Sequence, residues 1–150
     1  MKKEIKLVKV FATEIEALKD YIEALYRHED YHDSLVNIES GVRSLLKNEA
    51  LATPYFIKAG EERMGYVILT KYHSVEKGGL TIYIDELYVE EAKRRHGIGK
   101  EIMEQILEIA RNQGAKTLWA QTESYNDAAQ KFFVSRGFKQ NPNLNFERPL

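Results

Sequence analysis

A chain of 150 residues, 43% apolar and 30% charged, has the length of one domain and the balance of an ordinary globular fold. Its 22 Lys and Arg nearly cancel 23 Asp and Glu, so no global field draws it onto nucleic acid or an anionic membrane. The absence of cysteine excludes disulfides, thiolate metal sites and a cysteine nucleophile together. No apolar run approaches the ~20 residues of a spanning helix. Glu4, Lys6 and Lys9 interrupt any secretory apolar core near the start. The expectation is a single domain over residues 1–150, located in the cytoplasm.

In chain order, Ile5 to Val10 predicts a short strand. Thr13 with Glu16 forms a capping-box signal, and Ile15, Leu18, Ile22 and Leu25 follow at helical spacing. Asp33 or Ser34 is placed to cap a second helix carrying Leu35, Ile38, Val42 and Leu45. Pro54 to Lys58 and Met64 to Thr70 read as strands joined through Ala59-Gly60-Glu61-Glu62. After Gly78-Gly79, Leu80 to Val89 is a long β-rich run. A helix follows with Ile98, Ile102, Met103, Ile106 and Ile109 inward, and Gly114 ends it. Thr117 to Gln121 predicts a strand, and Ser124 to Arg136 a helix stopped by Gly137. A short strand near Phe138 and a further one near Phe146 complete the series. The order β-α-α-β-β-β-α-β-α-β(-β) is α/β with a mixed sheet, because hairpins and crossovers both occur.

The strongest chemical signal is Arg94-Arg95-His96-Gly97-Ile98-Gly99-Lys100 between the long strand and an amphipathic helix. Two glycines let backbone approach a ligand, and the helix N-terminus adds about half a positive charge. With Lys93, Arg94, Arg95 and Lys100 in an otherwise neutral chain, this favours a phosphate or pyrophosphate site over a plain turn. A Walker loop is excluded, since no Gly-x4-Gly-Lys-Ser/Thr string occurs. A dinucleotide fingerprint is excluded because Ile102 stands where the third glycine belongs.

Arg94-x-x-Gly97-x-Gly99 resembles the Gln/Arg-x-x-Gly-x-Gly/Ala motif of the GNAT superfamily of N-acetyltransferases. Asp85-Glu86-Leu87-Tyr88-Val89 stands where that family's acetyl-CoA strand stands. Asn126-x-x-Ala129-x-x-Phe132-Phe133-x-x-x-Gly137-Phe138 is similar to its later segment, and Gly65-Tyr66 fits its third strand. The likeness is specific over about 62–139 and architectural over the first 50 residues. It implies a mixed, mostly antiparallel sheet flanked by helices, with two neighbouring strands splayed around the cosubstrate, acetyl-CoA.

Carried over, the resemblance implies that the backbone of Leu87 and Val89 holds the pantetheine arm and the thioester carbonyl. The amides of Arg95, His96, Gly97, Ile98, Gly99 and Lys100 would hold the pyrophosphate, flanked by Arg94. Asn126 would either meet the pantetheine or only cap its helix. An acceptor ammonium must lose a proton before attack, and Glu86 matches the family's acidic position for that base. Asp85 is second choice; alternatively one of the pair only binds a cationic acceptor. Strand alternation puts Ile82, Ile84, Glu86 and Tyr88 on one face and Tyr83, Asp85, Leu87 and Val89 on the other. The family usually has Tyr where Phe133 stands, to protonate the leaving thiolate. Phe133 lacks a hydroxyl, which leaves Tyr88, Tyr125 or water for that step, or else a non-catalytic acyl-CoA-binding module.

His28-Glu29-Asp30-Tyr31-His32 spells the H-E-x-x-H zinc motif, but in polar surroundings without a third ligand, so no metal is expected. Under the resemblance this loop lies over the acceptor pocket, where Glu29, Asp30, Tyr31 and His32 would meet the substrate. His73-Ser74-Val75-Glu76 reads as a polar hairpin turn in preference to an acceptor-side loop. Trp119, Phe132, Phe133 and Phe138 read as core. The expected partner is a small-molecule or peptide amine, cationic given the carboxylates Asp30, Asp33, Glu76, Asp85 and Glu86. Dimerisation is common in the family that the chain resembles.

Overall fold

The computed structural model describes residues 3–28 and 35–150. Five strands form one sheet in chain order: β1 (Ile5–Lys9), β2 (Ala52–Ala59), β3 (Glu62–Ser74), β4 (Gly79–Val89) and β5 (Thr117–Ala120). All neighbours are antiparallel except β4 and β5, which pair in parallel through a helical crossover. Helices α1 (Ile15–His28) and α2 (Leu35–Leu45) join β1 to β2. Helix α3 (Ile98–Asn112) joins β4 to β5, and α4 (Asp127–Ser135) follows β5. No helix among the described residues is long and apolar enough to cross a membrane.

Two apolar clusters sandwich the sheet. On one face Ile98, Ile102, Met103 and Ile106 of α3 pack on Ile57, Val67, Leu69, Ile82 and Ile84, with Phe132 and Phe133 of α4 alongside. On the other, Leu18 and Ile22 of α1 and Ile38 and Val42 of α2 cover Phe56, Tyr66 and Ile68. Each helix presents one apolar stripe, as its 3.6-residue period requires. At the β1 edge, the Gln105 side chain of α3 accepts from Leu7 N at 2.9 Å and donates to Ile5 O at 2.8 Å. That amide fills the place of a strand partner.

Three sequence expectations are corrected. First, face alternation along β4 breaks at Asp85. Glu86 pairs with Ile68 and Ile84 with Leu69, so Asp85 is an extra residue with no partner on β3. Such a bulge moves every later side chain to the opposite face. Ile82 and Ile84 therefore share a face with Leu87 and Val89, while Tyr88 joins the α1/α2 side. Second, Glu14 rather than Glu16 reaches back at the first helix, accepting from Phe11 N at 3.3 Å. A 3-10 turn at Ala12–Glu14 precedes α1, and Glu16 instead meets Arg43 at 2.9 Å. Third, no strand forms near Phe138 or Phe146. Phe138 N is held by Phe133 O at 3.1 Å in the turn that ends α4. The expected caps Asp33 and Ser34 lie outside the described residues.

Candidate active site

The site begins where β5 stops. Its four residues pair with Thr81 to Ile84, so from Glu86 to Val89 the β4 backbone has a strand partner on the β3 side only. β3 approaches closely on that side: a Cβ at Gly65 would stand 2.0 Å from the Tyr88 carbonyl oxygen. Only glycine lets the two strands meet there. The result is an open strand edge at Leu87 and Val89, both half-buried.

Past Val89 a short 3-10 turn (Glu91–Lys93) leads into the glycine loop. Arg95, His96 and Gly97 all have left-handed backbones, with φ of 73°, 66° and 78°. Two consecutive non-glycine residues in that region store strain of a kind concentrated at ligand sites. The loop hands directly to the N-terminus of α3, where main-chain amides lack helical partners. The four basic residues have different tasks. Lys93 turns away, pairing with Glu90 at 2.9 Å and Glu62 at 3.0 Å and donating to Arg63 O. Arg94 braces the strand end, donating from Nε to Val89 O at 2.8 Å with its guanidinium 5.6 Å from the Tyr88 ring centre. Arg95 and Lys100 are exposed. Ile98 is buried in the core, so only its backbone belongs to the loop surface. The two glycines also differ: Gly97 is required by its φ, whereas a Cβ at Gly99 would stand 2.9 Å from Phe132.

On the α1/α2 face, Glu86 is held by two phenols. Tyr26 of α1 donates to Oε1, and Tyr66 of β3 donates to Oε2 at 2.9 Å. Burial pushes the carboxyl above its ordinary 4.5, and Asp85 adds to the rise, while the two hydroxyls pull it partly back. Burial and the Glu86 charge in turn hold Tyr66 protonated far beyond the usual phenol range. The rings of Tyr21, Tyr66 and Tyr88 cluster on the same face of the sheet, with centroids 6.0–6.2 Å apart. Tyr21 donates to Glu90, which links α1 to the start of the glycine loop through Lys93.

Tyr21, Tyr26 and Glu90 escaped the sequence reading. A signal existed: Tyr26 continues the stripe Leu18–Ile22 at i+4, and a phenol on a buried stripe needs a polar partner. Asn126 caps α4, its Oδ1 accepting from Ala129 N at 3.1 Å. Phe133 is packed 5.7 Å from Phe132 and 5.2 Å from Phe138, ring centre to ring centre. Tyr125 is exposed. Of the H-E-x-x-H string, His28 lies 3.6 Å from Glu91, and Glu29 to His32 lie outside the described residues. No group of three metal-ligating side chains occurs among the described residues.

Residues 14–138 match the model of the acetyltransferase (GNAT) family. A curated relative from Lactobacillus delbrueckii subsp. lactis, "Uncharacterized N-acetyltransferase in pepI 3'region", is 30% identical over 95 residues. That match covers 58% of this chain and 54%, about half, of the relative. Among solved structures, "a possible acetyltransferase from Clostridium difficile 630" superposes with a TM-score of 0.82 at 16% identity, covering 97% of both chains. Another, AAC(6')-Iy "in complex with bisubstrate analog CoA-S- monomethyl-acetylneamine", gives 0.73 at 15% identity, covering 98% of this chain and 99% of its own.

Proposed function

This chain belongs to the GNAT acetyltransferase family, and we propose that it moves an acetyl group from acetyl-CoA to a primary amine by direct attack. The observation that carries this reading is the half-buried Glu86 carboxylate beside the open β4 edge, positioned by Tyr26 and Tyr66. Acetyl-CoA supplies an activated thioester; the chain supplies position, charge and proton transfer. The residues present suit such a molecule: an unpaired strand edge for the pantetheine amides, and a left-handed loop on a helix N-terminus for the diphosphate. Leu87 and Val89 hold the arm through their backbone, with the Val89 amide facing the carbonyl oxygen as charge develops. The amides from Arg95 to Lys100 take the diphosphate, with Arg95 and Lys100 adding charge and Arg94 fixing the strand end. The Asn126 side-chain nitrogen is the group assigned to the pantetheine, its oxygen being spent on the cap.

Glu86 accepts the proton of the incoming ammonium. A carboxyl raised by burial takes it more readily than an ordinary one, and its ionised form also attracts a cationic acceptor. The acidic surroundings and the bisubstrate analogue bound by AAC(6')-Iy support a small cationic amine. Tyr88 is assigned the proton that the departing thiolate needs. Since acetyl-CoA is an intracellular metabolite, the activity belongs in the cytoplasm. The second reading, an acyl-CoA-binding module without turnover, rests on Phe133. Thiol release from acetyl-CoA across a panel of polyamines, aminoglycosides and peptide amines separates the two. Turnover with any member supports transfer, and binding without release supports the module.

A further inference from the structure

Two carboxylates, Glu90 and Glu91, stand at the entry of the glycine loop. Negative charge there repels any phosphate that the loop would bind, so these residues need another task. Glu90 has one. Its Oε1 accepts from the Tyr21 hydroxyl of α1, and its Oε2 lies 2.9 Å from the Lys93 ammonium. Burial works against the Glu90 charge, yet Tyr21 and Lys93 together hold the carboxyl below its ordinary 4.5. The Tyr21 ring is itself fixed, edge-on to Tyr66 and Tyr88.

Lys93 carries the connection onward. Its ammonium also reaches Glu62 at 3.0 Å and donates to Arg63 O at 2.9 Å, at the start of β3. Main-chain bonds fasten the same turn. Glu90 N donates to Met64 O at 2.9 Å, Lys93 N to Glu90 O at 2.9 Å and Arg94 N to Glu91 O at 3.1 Å. Directly after Arg94 the backbone turns left-handed, at Arg95 and His96. Non-glycine residues stay in that region only where their surroundings over-determine it. Tyr21, Glu90 and Lys93 thus tie the entry of the strained loop to both α1 and β3.

We propose that Tyr21 is a positioning residue for the cosubstrate: acting through Glu90 and Lys93, it holds the glycine loop in the left-handed form whose amides meet the diphosphate. This rests on the assignment of that loop to acetyl-CoA. Tyr21 and Glu90 act through the loop and not on the ligand itself.

Two variants separate positioning from charge. Tyr21→Phe keeps the ring and the net charge and removes only the hydroxyl. Glu90→Gln keeps the shape, but its one amide oxygen cannot replace both carboxylate oxygens, and a negative charge beside the loop is lost. Charge alone predicts no change for the first and tighter acetyl-CoA binding for the second. Positioning predicts weaker binding for both, about tenfold for Tyr21→Phe. Calorimetric titration of acetyl-CoA into each folded protein decides, with the circular dichroism spectrum and melting temperature recorded alongside. A lower melting temperature with unchanged affinity marks a merely structural role and overturns the proposal. A Glu90→Gln chain that binds as tightly as its parent also overturns it. A parent chain that binds no acetyl-CoA overturns the cosubstrate reading itself, and the role of Tyr21 with it.

Discussion

Tyr26 on α1 and Glu86 on β4, 60 residues apart in sequence, are joined phenol to carboxylate. Tyr66 holds the other oxygen of the same carboxylate. Both hydroxyls stabilise the ionised form against the opposing effect of burial. Removing either donor therefore raises the Glu86 pKa further. In Tyr26→Phe the acidic limb of the pH dependence of kcat/KM should move to higher pH, and Tyr66→Phe should move it the same way. A limb that stays in place would detach these phenols from the proton transfer.

Glu86→Gln should lower transfer by roughly 10²–10⁴-fold, the range for losing a positioned base, while acetyl-CoA affinity stays nearly constant. The same variant has a stability signature. Because the folded pKa lies above the ordinary 4.5, the carboxyl's contribution is complete below that value and is lost as pH rises through the raised one. Relative to the parent, Glu86→Gln should thus be more stable at neutral pH than at pH about 4. Urea unfolding at the two pH values checks the sign.

The glycines predict a graded series. Gly65→Ala drives a Cβ into the Tyr88 carbonyl and should cost more than ~4 kcal/mol or prevent folding. Gly97→Ala meets no atom within 4 Å but keeps a left-handed backbone, and should cost about 1–2 kcal/mol. Gly99→Ala presses on the Phe132 ring, so Phe132→Leu in the same chain should recover part of its loss. Denaturant midpoints would rank the three.

Phe133→Tyr restores a hydroxyl at the position where the family usually has one. Turnover should rise about tenfold, a barrier change of ~1.4 kcal/mol. No rise would mean that Tyr88 or water already supplies the proton at full rate. Tyr88→Phe in the Phe133→Tyr background then tells whether the two hydroxyls are redundant.

Much of the fold was legible because it is local. Helical stripes, the hairpin at Val75 to Gly78 and the glycine loop each announce themselves within a dozen residues. The site was legible only in part. The face of Glu86 depends on one extra residue, Asp85, whose bulge is a property of the β3–β4 pairing and leaves no mark on a strand read alone. Tyr26 reaches Glu86 only because α1 crosses the sheet, a tertiary fact beyond any sequence period. Lys93 looked like one more phosphate cation, and Glu90 and Glu62 claim it instead. Near Phe146 the alternation is plainly written, but a strand needs an edge to join, and within this chain none is paired with it.

Calorimetric titration of acetyl-CoA into the protein asks whether the strand edge and the glycine loop hold the cosubstrate. Binding should fall in the micromolar range and weaken as salt is added, because charged phosphates meet the exposed Arg95 and Lys100 at the loop. Binding should persist with a chelator present. No detectable heat at any ionic strength, with an intact fold, would contradict it and reduce the glycine loop to a turn.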